Sequence, residues 1–204
     1  MKDQTNKQFW QRVARLYAPF MRRNHEVYTK ICARIRPHLT PDTNVLELAT
    51  GSGLLAFPLA DSGADILATD YSEKMINEAR KSEYPANVRF EVADATALKY
   101  EDGLFDVVLI ANALHIMPAP EKAMAEIRRV LRPDGLLIAP TFVHGGGTAA
   151  NLRTRLMSAI GFHTYHKWSA DEFAYFIEGQ GFHVTVQEVL GSKIVPLAYV
   201  EAMM

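Results

Sequence analysis

Three carboxylates and two glycines are the residues of this 204-residue chain best placed to do chemistry. Glu47, Asp70 and Asp94 close three successive apolar runs, NVLEL, DILATD and NVRFEVAD, and Gly51 and Gly53 follow the first run directly. If those runs lie side by side in one sheet, the acids stand in a row along a single rim. The glycine loop alone is ambiguous. From Gly51 it reads G-x-G-x-x-A, close to a dinucleotide fingerprint. From Glu47 it reads E-x-A-x-G-x-G, which suits a nucleoside without phosphates.

The order of elements supports such a row. Phe9, Val13, Leu16, Tyr17 and Phe20 form one helical stripe over 5–21. A second helix is expected over 24–38, with Val27, Ile31 and Ile35 repeating every fourth residue, until the prolines of RPHLTPDT end it. From Asn44 onward strand and helix alternate: NVLELA, the helix LLAFPLADSG, DILATD, EKMINEARKSEY behind a capping Ser72, NVRFEVAD, LFDVVLIAN, APEKAMAEIRRVL, the turn RPDG, and LLIAPTF. That alternation predicts a parallel sheet with helices on both faces, whose strands read as continuous apolar runs. SADEFAYFIEGQ is then a helix, and GFHVTVQEVL and KIVPLAYVEAM, joined at Gly191-Ser192, read as an antiparallel hairpin. The expected fold class is α/β, a Rossmann-like, doubly wound, seven-stranded and mostly parallel sheet. We read one domain: an N-terminal helical lid over 1–40, a cofactor-binding core over 41–143, and an acceptor-side insert with the hairpin over 144–204.

In such sheets ligands settle beyond the strand C-termini, where the strand order reverses. A dinucleotide would bring a pyrophosphate there, best met by open N–H groups at a helix start. S-adenosylmethionine brings an ammonium, a sulfonium and a carboxylate, and needs acceptors near its cationic end. Glu47 is an acceptor at that end and a poor neighbour for pyrophosphate. Asp70 would suit the ribose hydroxyls of either cofactor. Asp94, a further acid to which an adenine amine could donate, favours the methyl donor.

The stretches VLELATGSG, ILATDYSEKMINEAR, VRFEVADATAL, FDVVLIANALHIM and EIRRVLRPDGLLIAPTF together resemble the class I S-adenosylmethionine-dependent methyltransferases. The likeness is to the small single-domain branch that includes ubiquinone/menaquinone C-methyltransferases and small-molecule enzymes. It implies S-adenosylmethionine as cofactor and S-adenosylhomocysteine as product. It implies that Ala49, Gly51 and Gly53 cradle methionine and ribose, although the family more often has glycine where Ala49 stands. It also implies that Glu47 lies near the amino group or holds the loop, and that Asp70 takes the ribose hydroxyls. Tyr71 and Met75 would flank the adenine, Asp94 and the Ala95 N–H would read its edge, and Asn112 would mark the floor beside the transfer point. Tyr17 would close over the methionine end.

Methyl transfer is an in-line displacement that gains most from alignment, and a base is needed only if the acceptor arrives protonated. His115 in NALHIMP is the candidate base, with an ordinary pKa near neutrality. His144, His163 and His166 lack a carboxylate or cysteine to complete a metal set, so no metal is expected. Phe162, Tyr165 and Trp168 would suit an apolar or aromatic acceptor, or simply core packing. Arg22 and Arg23 would suit an anionic acceptor or a solvated helix end.

Composition narrows the partners. With 22 basic and 23 acidic side chains the formal charge is −1, so no nucleic acid is expected to bind. The single cysteine, Cys32, fits a reducing compartment, and no apolar run approaches the length of a membrane span. The expectation is a cytoplasmic methyltransferase, monomer or homodimer, acting on a small-molecule acceptor without stable membrane insertion. The alternatives are a phospholipid or quinone methyltransferase at a membrane surface, and a non-catalytic S-adenosylmethionine-binding protein.

Overall fold

Side chains that point alternately to opposite faces of almost continuously buried strands divide the interior into two layers. In β1 (Asn44–Leu48), Val45 faces one apolar cluster and Leu46 the other, and β4 (Phe105–Ile110) splits in the same way at Val107 and Val108. Successive side chains of a strand point to opposite faces, so such strands need cover on both sides. The structure is a computed structural model that describes residues 8–14, 25–143, 163–191 and 196–204. One face is covered by α2 (His25–Ile35), α3 (Ala56–Leu59) and α4 (Glu73–Ala79), through residues such as Ile31, Leu59 and Ile76. The other is covered by α5 (Pro120–Val130) and α6 (Ala170–Gly179), through Ile127, Val130, Phe173 and Ile177. Full burial of each such side chain contributes about 1.5–3 kcal/mol. Residues 8–14 are a further helical segment, α1.

The remaining strands are β2 (Asp65–Asp70), β3 (Val88–Val92), β5 (Leu131–Ile138), β6 (Thr141–Phe142), β7 (His183–Gly191) and β8 (Pro196–Met203). Their order is β3-β2-β1-β4-β5-β8-β6, with β7 paired to β8. β1 to β5 are parallel, and β8 runs antiparallel to β5, β6 and β7. The Rossmann-like, mostly parallel sheet with its terminal hairpin is as expected.

Local details differ from the sequence reading. LLIAPTF breaks into two strands around Ala139-Pro140, so among the described residues the sheet holds eight strand segments, not seven. The reason is Pro140, which has no N–H for a ladder. RPDG does not separate helix from strand as a free turn. It bulges out of β5, where Phe105 and Val107 on β4 face Leu131 and Leu136. The helix predicted over LLAFPLADSG is one turn of α-helix followed by a 3₁₀ turn at Ala60–Ser62. Pro58 is tolerated because it lies in the first turn, where N–H groups lack helical partners. β3 alternates exposed and buried positions, since it is a sheet edge. Ser72 does cap α4, accepting the Met75 N–H at 3.4 Å. The 191–192 turn lies partly outside the described residues.

Candidate functional site

The strand order reverses between β1 and β4, and there the chain leaves β1 through a tightly wound loop. Ala49, Gly51 and Gly53 all have left-handed backbones, with φ of 56°, 60° and 83°. Gly53 must be glycine, because a Cβ there would sit 2.6 Å from the Phe57 ring. Ala49 accepts a conformation that costs an L-residue on the order of 1 kcal/mol, and it lines the cavity described below. The loop is tied to β2: the Thr50 N–H donates to the Thr69 carbonyl at 2.9 Å, and the Gly51 N–H donates to Asp70 Oδ2 at 2.9 Å. Asp70 Oδ1 accepts the Ser72 N–H at 2.8 Å. The Gly51 N–H is therefore already engaged by a carboxylate rather than open to an anion.

Electrostatics sharpen this. Burial pushes the Asp70 carboxyl up to about 6, against the pull of the Ser72 and Gly51 N–H groups. Burial pushes Glu47 up to about 8; the Thr50 hydroxyl and the Ala56 N–H pull it back, and the charge of Asp70 adds to the push. Glu47 is 2% exposed, and its Oε2 and Ser52 Oγ are buried without a hydrogen-bond partner among the described residues. Two acids and two hydroxyls in the walls and underside of one loop suit a neighbouring cation and disfavour a diphosphate.

A cavity of about 340 Å³ opens above this loop. Of the residues singled out from sequence, Ala49, Gly51, Asp70, Tyr71, Met75, Asp94, Ala95 and Asn112 line it. Glu47 and Gly53 lie outside the lining, in or beneath the loop. Asp94 Oδ1 accepts the Thr96 N–H at 2.9 Å and its hydroxyl at 2.7 Å, while no described residue bonds Oδ2. Asn112 has φ of 53°, and its side chain is anchored at both ends: Nδ2 donates to the Tyr28 hydroxyl at 3.1 Å, and Oδ1 accepts the Phe142 N–H at 3.0 Å. It braces the floor between α2 and β6.

His115 is not part of the lining. It is buried, its Nδ1 shares a 2.9 Å hydrogen bond with Thr141 Oγ1, and its carbonyl accepts the N–H groups of Tyr165 and His166. Its neighbours Ile116 and Met117 do reach the cavity. Tyr17, Arg22, Arg23, His144 and Phe162 lie outside the described residues. His163 is exposed, and His166 stacks on Trp168 at 4.9 Å, which stacks in turn on Phe176 of α6 at 4.7 Å. No group of three metal-binding side chains occurs among the described residues.

Sequence reasoning missed Trp10, Tyr28, Thr96 and Lys122. Trp10 on α1 lines the cavity with its ring edge-on to Phe9, at 5.1 Å. It lies one residue off the apolar stripe, and only its size hinted at a role. Nothing in the spacing of Tyr28 points to Asn112.

Residues 46–139 match the family described as the methyltransferase domain. A demethylmenaquinone methyltransferase of Renibacterium salmoninarum is 38% identical over 104 residues, 51% of this chain and 43% of that one. Another, from Thermus thermophilus, is 40% identical over 102 residues, 48% of this chain and 46% of that one. The chain thus matches under half the length of each of these relatives. Among solved structures, a SAM-dependent methyltransferase from Thermotoga maritima superimposes with a TM-score of 0.76 at 19% identity, over 96% of this chain and 98% of that one. The magnesium protoporphyrin IX methyltransferase of Synechocystis, solved with bound SAH, gives a TM-score of 0.65 at 20% identity, over 88% and 82%. These two likenesses concern the fold.

Proposed function

We propose, from the match of residues 46–139 to a methyltransferase domain and from the geometry of the site, that this protein is a class I S-adenosylmethionine-dependent methyltransferase that transfers a methyl group to a small-molecule acceptor by in-line displacement. The observation that carries the reading is one shared cavity into which the ends of β1 to β4 bring Asp70, Asp94 and the glycine loop. The residues fit the donor: acids and N–H groups are present, and the glycine N–H that a phosphate would use is taken by Asp70. S-adenosylmethionine supplies a methyl group on sulfur that is already a good leaving group. The protein's part is chiefly to align. Asp70 accepts from the ribose hydroxyls, Asp94 Oδ2 and the Ala95 N–H meet the adenine edge, and Tyr71 and Met75 flank it. Glu47 steadies the loop from below, and a cationic donor beside it would favour its ionised form. Ile116 and Met117 form wall beside the floor braced by Asn112. Any proton on the acceptor leaves as the new bond to carbon forms and the carbon–sulfur electron pair stays on sulfur.

A quinone acceptor is the second reading, favoured by the names of the relatives from R. salmoninarum and T. thermophilus. Methyl-labelled donor incubated with a panel of phenols, amines, thiols and demethylated quinones tests both readings. Label in a quinone alone selects the second, and donor binding with no label in any acceptor leaves a non-catalytic binder. A cytoplasmic location is part of this proposal; no described helix is long and apolar enough to cross a membrane.

We assign His115 to positioning the acceptor wall through Thr141 and the 165–166 backbone, with proton removal open to it if the acceptor is protonated. His115→Ala should lower turnover about tenfold, equal to ~1.4 kcal/mol of barrier. Affinity for S-adenosylhomocysteine should change by less than about twofold, since His115 does not line the cavity. Full turnover in a folded variant would reduce His115 to packing.

A further inference from the structure

The turn that carries Asp94 and Ala95 has few supports of its own. The Ala93 N–H ties the entry of the turn to the Asp70 carbonyl of β2 at 3.1 Å, the Asp94–Thr96 bonds and one bond from the Ala97 N–H to the Asp94 carbonyl at 3.0 Å lie within it, and its exit is held from α5. Glu126 Oε2 accepts the Leu98 N–H at 2.7 Å, and Arg129 Nη2 donates to the Leu98 carbonyl at 3.1 Å. Arg129 Nη1 donates to the Tyr100 carbonyl and to Asp102 Oδ1, both at 2.7 Å. The two side chains also hold each other in a fork, with Nε to Oε1 at 3.1 Å and Nη2 to Oε2 at 2.9 Å. The Gly103 N–H donates to the Arg129 carbonyl at 2.9 Å, so one residue grips the segment by side chain and main chain alike.

We propose that the Glu126–Arg129 pair is a positioning clamp for the adenine end of the donor site, setting the register of Asp94 and Ala95 without touching the ligand. The proposal rests on the donor reading above. A planar guanidinium is suited to the work, because its fixed fork of five donors serves two carbonyls and two carboxylates at once. A lysine could not. The pair is worth little as a surface ion pair. Its consequence is geometric: Leu98, with both backbone groups engaged, fixes the C-terminal end of the 94–97 turn.

Adenine and hypoxanthine differ where Asp94 and Ala95 act. Adenine presents an amine donor and a ring acceptor there; hypoxanthine presents a carbonyl and a ring N–H, the reverse at both positions. The ratio of affinities for S-adenosylhomocysteine and S-inosylhomocysteine therefore reads the register of the turn, while a general loss of structure lowers both together. Calorimetric titrations of wild type, Arg129→Met, Arg129→Lys and Glu126→Gln with both compounds, with melting curves alongside, make the test. Wild type should prefer the adenine compound at least tenfold. Arg129→Met should shrink that ratio at least fivefold, with Arg129→Lys in between. Glu126→Gln should act in the same direction, and it carries the test if Arg129→Met does not fold. A preserved ratio in folded variants, or an equal fall for both compounds, would overturn the clamp. Failure of wild type to bind either compound, or equal binding of both, would instead overturn the adenine reading on which the clamp depends.

Discussion

Asp70→Ala should weaken S-adenosylhomocysteine binding by more than tenfold, at least ~1.5 kcal/mol, because it removes charge-assisted acceptors and unfastens the loop at once. In the free protein the carboxylate holds the Gly51 and Ser72 N–H groups, one on each oxygen. Each ionised carboxylate oxygen has a further lone pair, and those two are what the ribose hydroxyls would meet. Asp70→Asn separates the contributions. It keeps the shape and one acceptor oxygen but loses the charge, so its affinity should fall between wild type and the alanine variant. Since burial raises the Asp70 carboxyl to about 6, affinity in the wild type should also decline as the pH is lowered through that value. Titration calorimetry on variants shown by melting to be folded is the check. Unchanged affinity in Asp70→Ala would place the ribose elsewhere.

The second large effect is on stability. The Glu47 carboxyl is raised from 4.5 to about 8 in the folded protein. Between those values the folded state holds a proton that the unfolded state has lost, so stability must fall as the pH rises. The full drop is on the order of 5 kcal/mol across that window, a large part of the margin of an ordinary domain. Asp70 adds a smaller loss of the same sign between 3.8 and 6. Glu47→Gln keeps the volume and never ionises. It should match wild type near pH 5, exceed it near pH 8, and flatten the dependence between. Urea midpoints at the two pH values measure this directly, and parallel curves for the two proteins would contradict it. The donor should act in the opposite sense. A cation beside Glu47 favours the ionised acid, so binding should release protons and tighten as the pH rises.

How far the sequence discloses this molecule depends on the range of the interactions involved. Strand identity, helix caps and the row of acids are legible because each is written in neighbouring residues: DILATD ends in its acid, and Ser72 stands one position before the helix it caps. The break at Pro140 was legible in principle, since proline cannot donate to a ladder, but the apolar run around it masks the interruption. The bulge at RPDG and the edge character of β3 depend on which strand lies opposite, which the alternation alone does not specify. In the site, the lining residues supplied by strand ends were found, whereas Trp10, Tyr28 and the Glu126–Arg129 pair were not. They reach the site across the chain, and their spacing carries no periodic signal. His115 shows the converse. Its place after a strand is plain in the sequence, while the bond of its ring to Thr141, 26 residues on, is not.

Titration of the protein with S-adenosylhomocysteine and, separately, with NAD tests the central claim most directly. Measurable heat with the first and none with the second is the result expected from a rim of acids whose loop N–H is already taken. Binding of NAD alone would contradict it.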